Sequence, residues 1–182
     1  MGLVTRTPTN FRYGACQVTF NAVDLGSFKD AAVFRHDITY YEITSAQSSM
    51  LQGHKILTER ALAMIAMQES ELAMLANICP SGTYVLDSGG VKKKLQFGGD
   101  QIVTGDYKQL IITPTTDGSG TLSTNNNEKV TIFKCLAQVR LEWKFALSNG
   151  EILTPVEFHA IEDTTKDTGN RLFLLGDSTA TA

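Results

Sequence analysis

The 182-residue chain sets 16 Lys and Arg against 19 Asp and Glu, for a net charge of −3 and a pI near 5.6. That balance argues against a protein that grips nucleic acid by neutralising phosphates. An apolar fraction of 42% with 19% charged residues excludes a disordered chain and is enough for one core.

Residues 1–10 are polar, carry Pro8 and show no period, so they read as an N-terminal arm to a single domain over 11–176. Met1–Arg6 lacks the charged and apolar regions of a signal peptide, and Arg6 stands where a myristoylation signal needs Ser or Thr. The chain has no apolar run of roughly 18 residues, so no membrane insertion is expected of it. A soluble protein made in the cytoplasm follows as the expectation. Cys16, Cys79 and Cys135 are odd in number and widely spaced, which fits buried thiols better than a disulfide framework or a zinc site.

A first strand is expected over Phe11–Phe20, ending in a tight turn at Val23-Asp24-Leu25-Gly26. From Ala32 to Ile43 the period is near two. Phe34, His36, Ile38 and Tyr40 share one face, and Arg35, Asp37 and Thr39 share the other. A polar loop, Ser45–Gly53, follows. Ile56–Ile78 is ambiguous: its Ala, Leu and Met favour one helix over about Leu57–Asn77, yet a strand through Ile65 and a short helix fit as well. Glu69 and Glu71 would answer the dipole of the helix start. Pro80-Ser81-Gly82 closes either version.

Val91–Phe97 reads as a strand edge kept solvated by Lys92, Lys93 and Lys94. Tyr107–Thr113 is a further strand, and Thr115–Lys129 a long polar loop. Strict alternation from Thr131 to Leu147, followed by Asn149-Gly150, predicts a hairpin with a type I′ turn. Its register sets Trp143 opposite Val156 and Leu141 opposite Phe158, with Glu142 facing Glu157. Arg171–Leu175 is the last short strand, and 177–182 a C-terminal tail. The fold class is mainly β (α+β): an antiparallel sandwich or barrel with one short packed helix and extended loops or arms.

No reaction is legible. His36, His54 and His159 have no recognisable nucleophile motif beside them, and Gly98-Gly99 and Gly118-x-Gly120 read as turns rather than phosphate cradles. Met50, Met64, Met67 and Met74 read as core filler. No catalytic residue, cofactor or metal is expected.

The order of these signals resembles the tail tube (major tail) proteins of long-tailed bacteriophages, with type VI secretion tube proteins as wider relatives. The likeness covers most of residues 11–176. It rests on the Val23-Asp24-Leu25-Gly26 turn, the Asp37-Ile38-Thr39-Tyr40 strand and the loop Thr44–Ser49. It continues through Ala66-Met67-Gln68-Glu69-Ser70 and Leu153–Asp163 with its Asp-containing turn. The resemblance implies a strand over His54 to about Ala66, with the helix confined to about Gln68–Asn77.

It further implies homohexameric rings that stack into a tube in the virion tail, where DNA passes as cargo without being bound and other tail proteins are partners. Ser45, Ala46, Gln47, Ser48, Ser49, Met50, Leu51, Gln52 and Gly53 would then be the loop that reaches the next ring, helped by the terminal arms. The lysine triplet would lie outside the tube or at a ring contact. Two other classes remain open: another virion structural β-protein, for tail completion or capsid decoration, and a β-barrel module binding a small molecule between Trp143 and Phe158.

Overall fold

The computed structural model describes residues 15–28, 30–45, 48–68, 71–98, 107–115, 121–141 and 154–180, with the backbone alone for 44–45 and 48–52. The N-terminal arm and the first residues of the expected opening strand lie outside this set. β1 (Cys16–Phe20) turns back at once into β2 (Val23–Asp24), with Phe20 opposite Val23. The hairpin turn is therefore Asn21-Ala22, ahead of Val23-Asp24-Leu25-Gly26, where Gly26, at φ 71°, donates its N–H to Asp24 Oδ1 at 3.1 Å. Asn21 and Ala22 both have positive φ, 52° and 62°, as a two-residue hairpin turn of the I′ kind requires. Asn visits this region at little cost, which favours Asn21 as the pivot. Ala22 does not, and the strain is offset by anchors: Asn21 N donates to Gln109 O at 2.9 Å, and Asn77 Nδ2 to Phe20 O at 3.2 Å.

β3 (Val33–Ser45) and β4 (Ser48–Met67) form one antiparallel pair along all of β3 and along β4 from Ser48 to Met64. Ile56–Ile65 is thus extended, against its helical propensity. Ala61, Ala63, Ile65 and Met67 are all buried at period two. Leu62–Met67 is also hydrogen-bonded on its other side to β9 (Thr154–Ala160), so tertiary pairing outweighs a local preference worth only tenths of a kcal/mol per residue. The helix that remains, α1 (Leu72–Ile78), spans seven residues and buries Leu75 and Ile78. Glu71 is its N-cap residue, but its side chain caps nothing. Its carboxylate stands at the helix start, where the expected interaction with the dipole needs no hydrogen bond, and its Oε1 accepts from Lys93 Nζ at 3.1 Å; Glu69 lies outside the described residues.

β5 (Thr83–Leu86) and β6 (Lys93–Gln96) make a separate two-stranded sheet, and β5 is an element the sequence reading did not expect. The Asp87 carboxylate closes the connection by accepting from the N–H groups of Val91 and Lys92, at 2.8 and 2.9 Å. Leu95 packs from this hairpin onto the core cluster.

The large sheet runs β2-β1-β7-β8-β9-β4-β3, with β7 (Lys108–Pro114), β8 (Val130–Val139) and β10 (Phe173–Leu175) completing it. β9 and β10 lie end to end on one side of β8, against its second and first halves respectively. The Phe20 and Phe158 rings meet at 5.1 Å although two strands separate β1 from β9. The sheet is therefore strongly curled, in the sandwich-like way expected of a mainly β fold. Phe158, Ile132, Val18 and Leu110 fill its inside.

The β8–β9 register corrects the one set by an Asn149-Gly150 turn. Val139, not Trp143, faces Val156, and Ala137, not Leu141, faces Phe158, a slip of four residues. An even slip keeps each side chain on its face. It also sets Gln138 opposite Glu157, which removes the like-charged Glu142–Glu157 pair. Residues 142–153, with Trp143 and the turn itself, lie outside the described residues.

The three cysteines are free. Burial pushes the Cys135 thiol up to about 12 and Cys79 up to about 11; Cys16 is also raised by burial, partly opposed by a backbone hydrogen bond. Cys135 Sγ donates to Lys108 O at 3.2 Å. Since the thiolate is the reactive form, a chromogenic disulfide reagent at neutral pH is expected to titrate no fast thiol in the native protein and all three after denaturation. A fast native phase at Cys79 or Cys135 would contradict this packing.

Candidate assembly surface

Beyond Leu62, counting back along β4, the strand leaves β9 and continues with β3 as a two-stranded ribbon to Ser45 and Ser48. Among the described residues no strand pairs with the outer edge of β3, or with the outer edge of β4 from Ser48 to Ala61. Among the described residues, two long edges of backbone N–H and C=O groups are thus left without a strand partner on one hairpin, a feature that soluble monomers usually suppress.

The ribbon also carries large apolar groups in water. Tyr40 and Tyr41 are 56% and 60% exposed, and Ile56 and Leu57 51% and 66%. Alternation places Tyr40 and Tyr41 on opposite faces, so both faces are apolar in part. The signal was present in the sequence as two adjacent apolar pairs, Tyr40-Tyr41 and Ile56-Leu57, within a strand that otherwise alternates. Register breaks fall between Thr39 and Tyr40, between Ile43 and Thr44, and between Thr44 and Ser45. At the first, Leu57 is the extra residue. Such bulges bend and twist a ribbon away from the plane of its sheet.

The residues expected to form a contact loop, Ser45–Gly53, are mostly strand. Ser45 pairs with Ser48, Thr44 with Leu51 and Ile43 with Gly53, because the β3–β4 ladder runs on past the polar composition that suggested a loop. They form the tip of the ribbon; Ala46 and Gln47 lie outside the described residues.

At the root of the ribbon the two faces differ. One is continuous with the core: Phe34 sits over Phe173 at 5.0 Å, and the His36 ring meets Phe173 at 4.7 Å while its Nε2 reaches Glu59 Oε1 at 2.9 Å. The other face is open and polar. Arg35 and Asp37 form an ion pair at 2.8 Å, Asp37 lies opposite Arg60, and the Thr39 and Thr58 hydroxyls meet. His159 pairs with Glu157 at 3.3 Å on this open face, and His54 stands edge-on to Tyr40 at 6.1 Å further out. The three histidines are not brought together. Among the described residues no group of three His, Cys, Asp or Glu side chains is placed to hold a metal.

The turn after β9 ties the sheet to its last strand. Asp163 is buried; its Oδ1 accepts from Lys134 Nζ at 2.8 Å and from Thr165 Oγ1 at 2.7 Å, and its N–H donates to Arg171 O. Arg171 in turn reaches Glu162 at 2.7 Å. The Lys134 contact, then Thr165, holds the Asp163 carboxyl down to about 2 from an ordinary 3.8. A depressed carboxyl stabilises the fold above its unfolded value and loses that contribution as pH falls through its folded one. Asp163→Asn is expected to lower the unfolding midpoint near neutral pH, with the difference from wild type shrinking as pH is lowered from about 5 towards 2. A pH-independent difference in thermal melts would refute the assignment.

Neither a protein-family model nor a curated protein sequence matches this chain.

Proposed function

We propose that this chain is a self-assembling structural protein, a tail tube (major tail) protein of a bacteriophage, whose copies join into rings that stack as a passive conduit for DNA. The observation that carries this reading is the ribbon with two unlike unpaired edges. An isologous pairing of β3 with β3 would end at a dimer. Pairing the β3 edge of one copy with the free β4 edge of the next is heterologous, and repeats until a rotation closes it. In a ring the directions also agree: β3 and β4 run antiparallel within a copy, so β4 and the neighbouring β3 are antiparallel too. The hexamer and the phage tail are what the family resemblance implies; the edges and exposed tyrosines support a tendency to assemble.

Negative-stain microscopy of the purified protein is expected to show rings or hollow tubes. A monodisperse monomer at high concentration would overturn the reading. Deleting Gln47–Leu51 at the ribbon tip is expected to leave rings and abolish their stacking. Tubes of normal length from that variant would remove the tip from the inter-ring contact.

A further inference from the structure

Resting on that reading, we propose that the open polar face of the ribbon root, bearing Arg35, Asp37, Thr58 and Arg60, is the face that lines the bore. The choice follows from where the mass of the domain lies. Ala63 and Ile65 point to the other side and belong there to one core cluster with Phe158 and Phe20, and Ala61, also buried, shares their face. α1 packs on that same cluster through Leu75 and Ile78, with the β5–β6 hairpin joined to it through Leu95. Turning the core face to the axis would put every copy's body into the channel and plug it.

The opposite face carries nothing of that size among the described residues. Arg35 and Asp37 side chains are 62% and 53% exposed there, and Thr58 and Arg60 are exposed beside them. Glu157 continues the same face onto β9. The wall so defined is mixed in sign. Asp37 stands between Arg35, its ion-pair partner, and Arg60, its cross-strand neighbour, so that with Glu157 two cations face two anions here although the whole chain is net −3. A passing polyanion would meet arginines whose charge is already partly answered by Asp37, which favours weak and reversible contact. The β5–β6 hairpin, with Lys92, Lys93, Lys94 and the 81% exposed Val91, falls on the outer side.

The test labels assembled particles with a small maleimide and with a maleimide carrying a polymer too bulky to enter the channel. Thr58→Cys and Val91→Cys are compared in a Cys16→Ser background, Cys79 and Cys135 being buried and Cys16 only half-buried. Thr58→Cys is expected to react with both reagents as a dissociated chain, but to lose reaction with the bulky one on assembly, while Val91→Cys keeps it. Arg60→Cys, on the same face, replaces Thr58→Cys if loss of the Thr39–Thr58 contact impairs folding. Equal reaction of the bulky reagent at Thr58→Cys and Val91→Cys in intact particles would overturn the orientation while leaving assembly itself standing. Absence of particles from the wild-type chain would instead overturn the assembly reading beneath it.

Discussion

Removing residues 41–55 and joining Tyr40 to Ile56 through Asn-Gly is expected to yield a folded monomer that builds neither rings nor tubes. Tyr40 and Ile56 are direct cross-strand partners, so a two-residue type I′ turn can close the shortened hairpin without changing its register. Among the residues whose side chains are described, every buried core residue lies outside the deleted stretch, so that core is kept. What disappears is just over half of the free β4 edge, the free β3 edge beyond Tyr40, and exposed apolar groups including Tyr41 and Ile43. Even a loss of about 3 kcal/mol at each junction weakens association roughly 100-fold per contact. Sedimentation velocity at a concentration where the wild type is assembled should show a single slow species, with thermal unfolding still cooperative. Particles of wild-type size from the truncated chain would exclude the ribbon as the joining element.

Phe158→Ala is expected to act on the fold itself. Phe158 is fully buried on β9, directly opposite Ala63 on one side and Ala137 on the other, with the Phe20 ring above it. Small neighbours on both flanking strands leave this one ring to fill the middle of the curled sheet. They cannot expand into the space it vacates, so collapse around the cavity is limited. Phe→Ala at such sites costs about 3–5 kcal/mol, which for a chain of this length lowers the melting temperature by roughly 10 °C or more. Urea unfolding of the assembly-deficient truncated form would measure this free of linkage to oligomerisation. A change below about 1 kcal/mol would mean that the ring is not the centre of the core.

Much of the sheet could be read from residue types because burial leaves a period. The split between Phe34, His36, Ile38 and Tyr40 on one side and Arg35, Asp37 and Thr39 on the other is the arrangement found. The fate of Ile56–Met67 was not legible by period, since Ala61 and Ile65 satisfy a helical spacing and a strand spacing equally. Only partners distant in sequence, β3 and β9, decide it. The slip of four between β8 and β9 was hidden for a related reason. Alternation fixes which face a residue takes, but every even shift of register satisfies it, and the Asn149-Gly150 pair pointed to one particular shift. β5 was missed because Thr83–Leu86 is four residues long and buries no residue fully, so it leaves almost no pattern. The candidate surface was legible in part, in the adjacent apolar pairs Tyr40-Tyr41 and Ile56-Leu57. The polar stretch Ser45–Gly53 read as a loop, and that the chain there is a ladder depends on how far β4 outruns β9.

Those two open edges have a bearing on how a ring would come into being. An arc of any number of copies keeps one bare β3 edge and one bare β4 edge, and each added copy only moves the bare edge along. The last step differs, because closing the circle forms a junction between partners already tethered, with no further loss of translational freedom. Partial arcs would then be sparse beside free chains and complete rings. Growth of a tube would await a first closed ring, so tubes of the purified chain would appear after a lag that an added preformed ring removes.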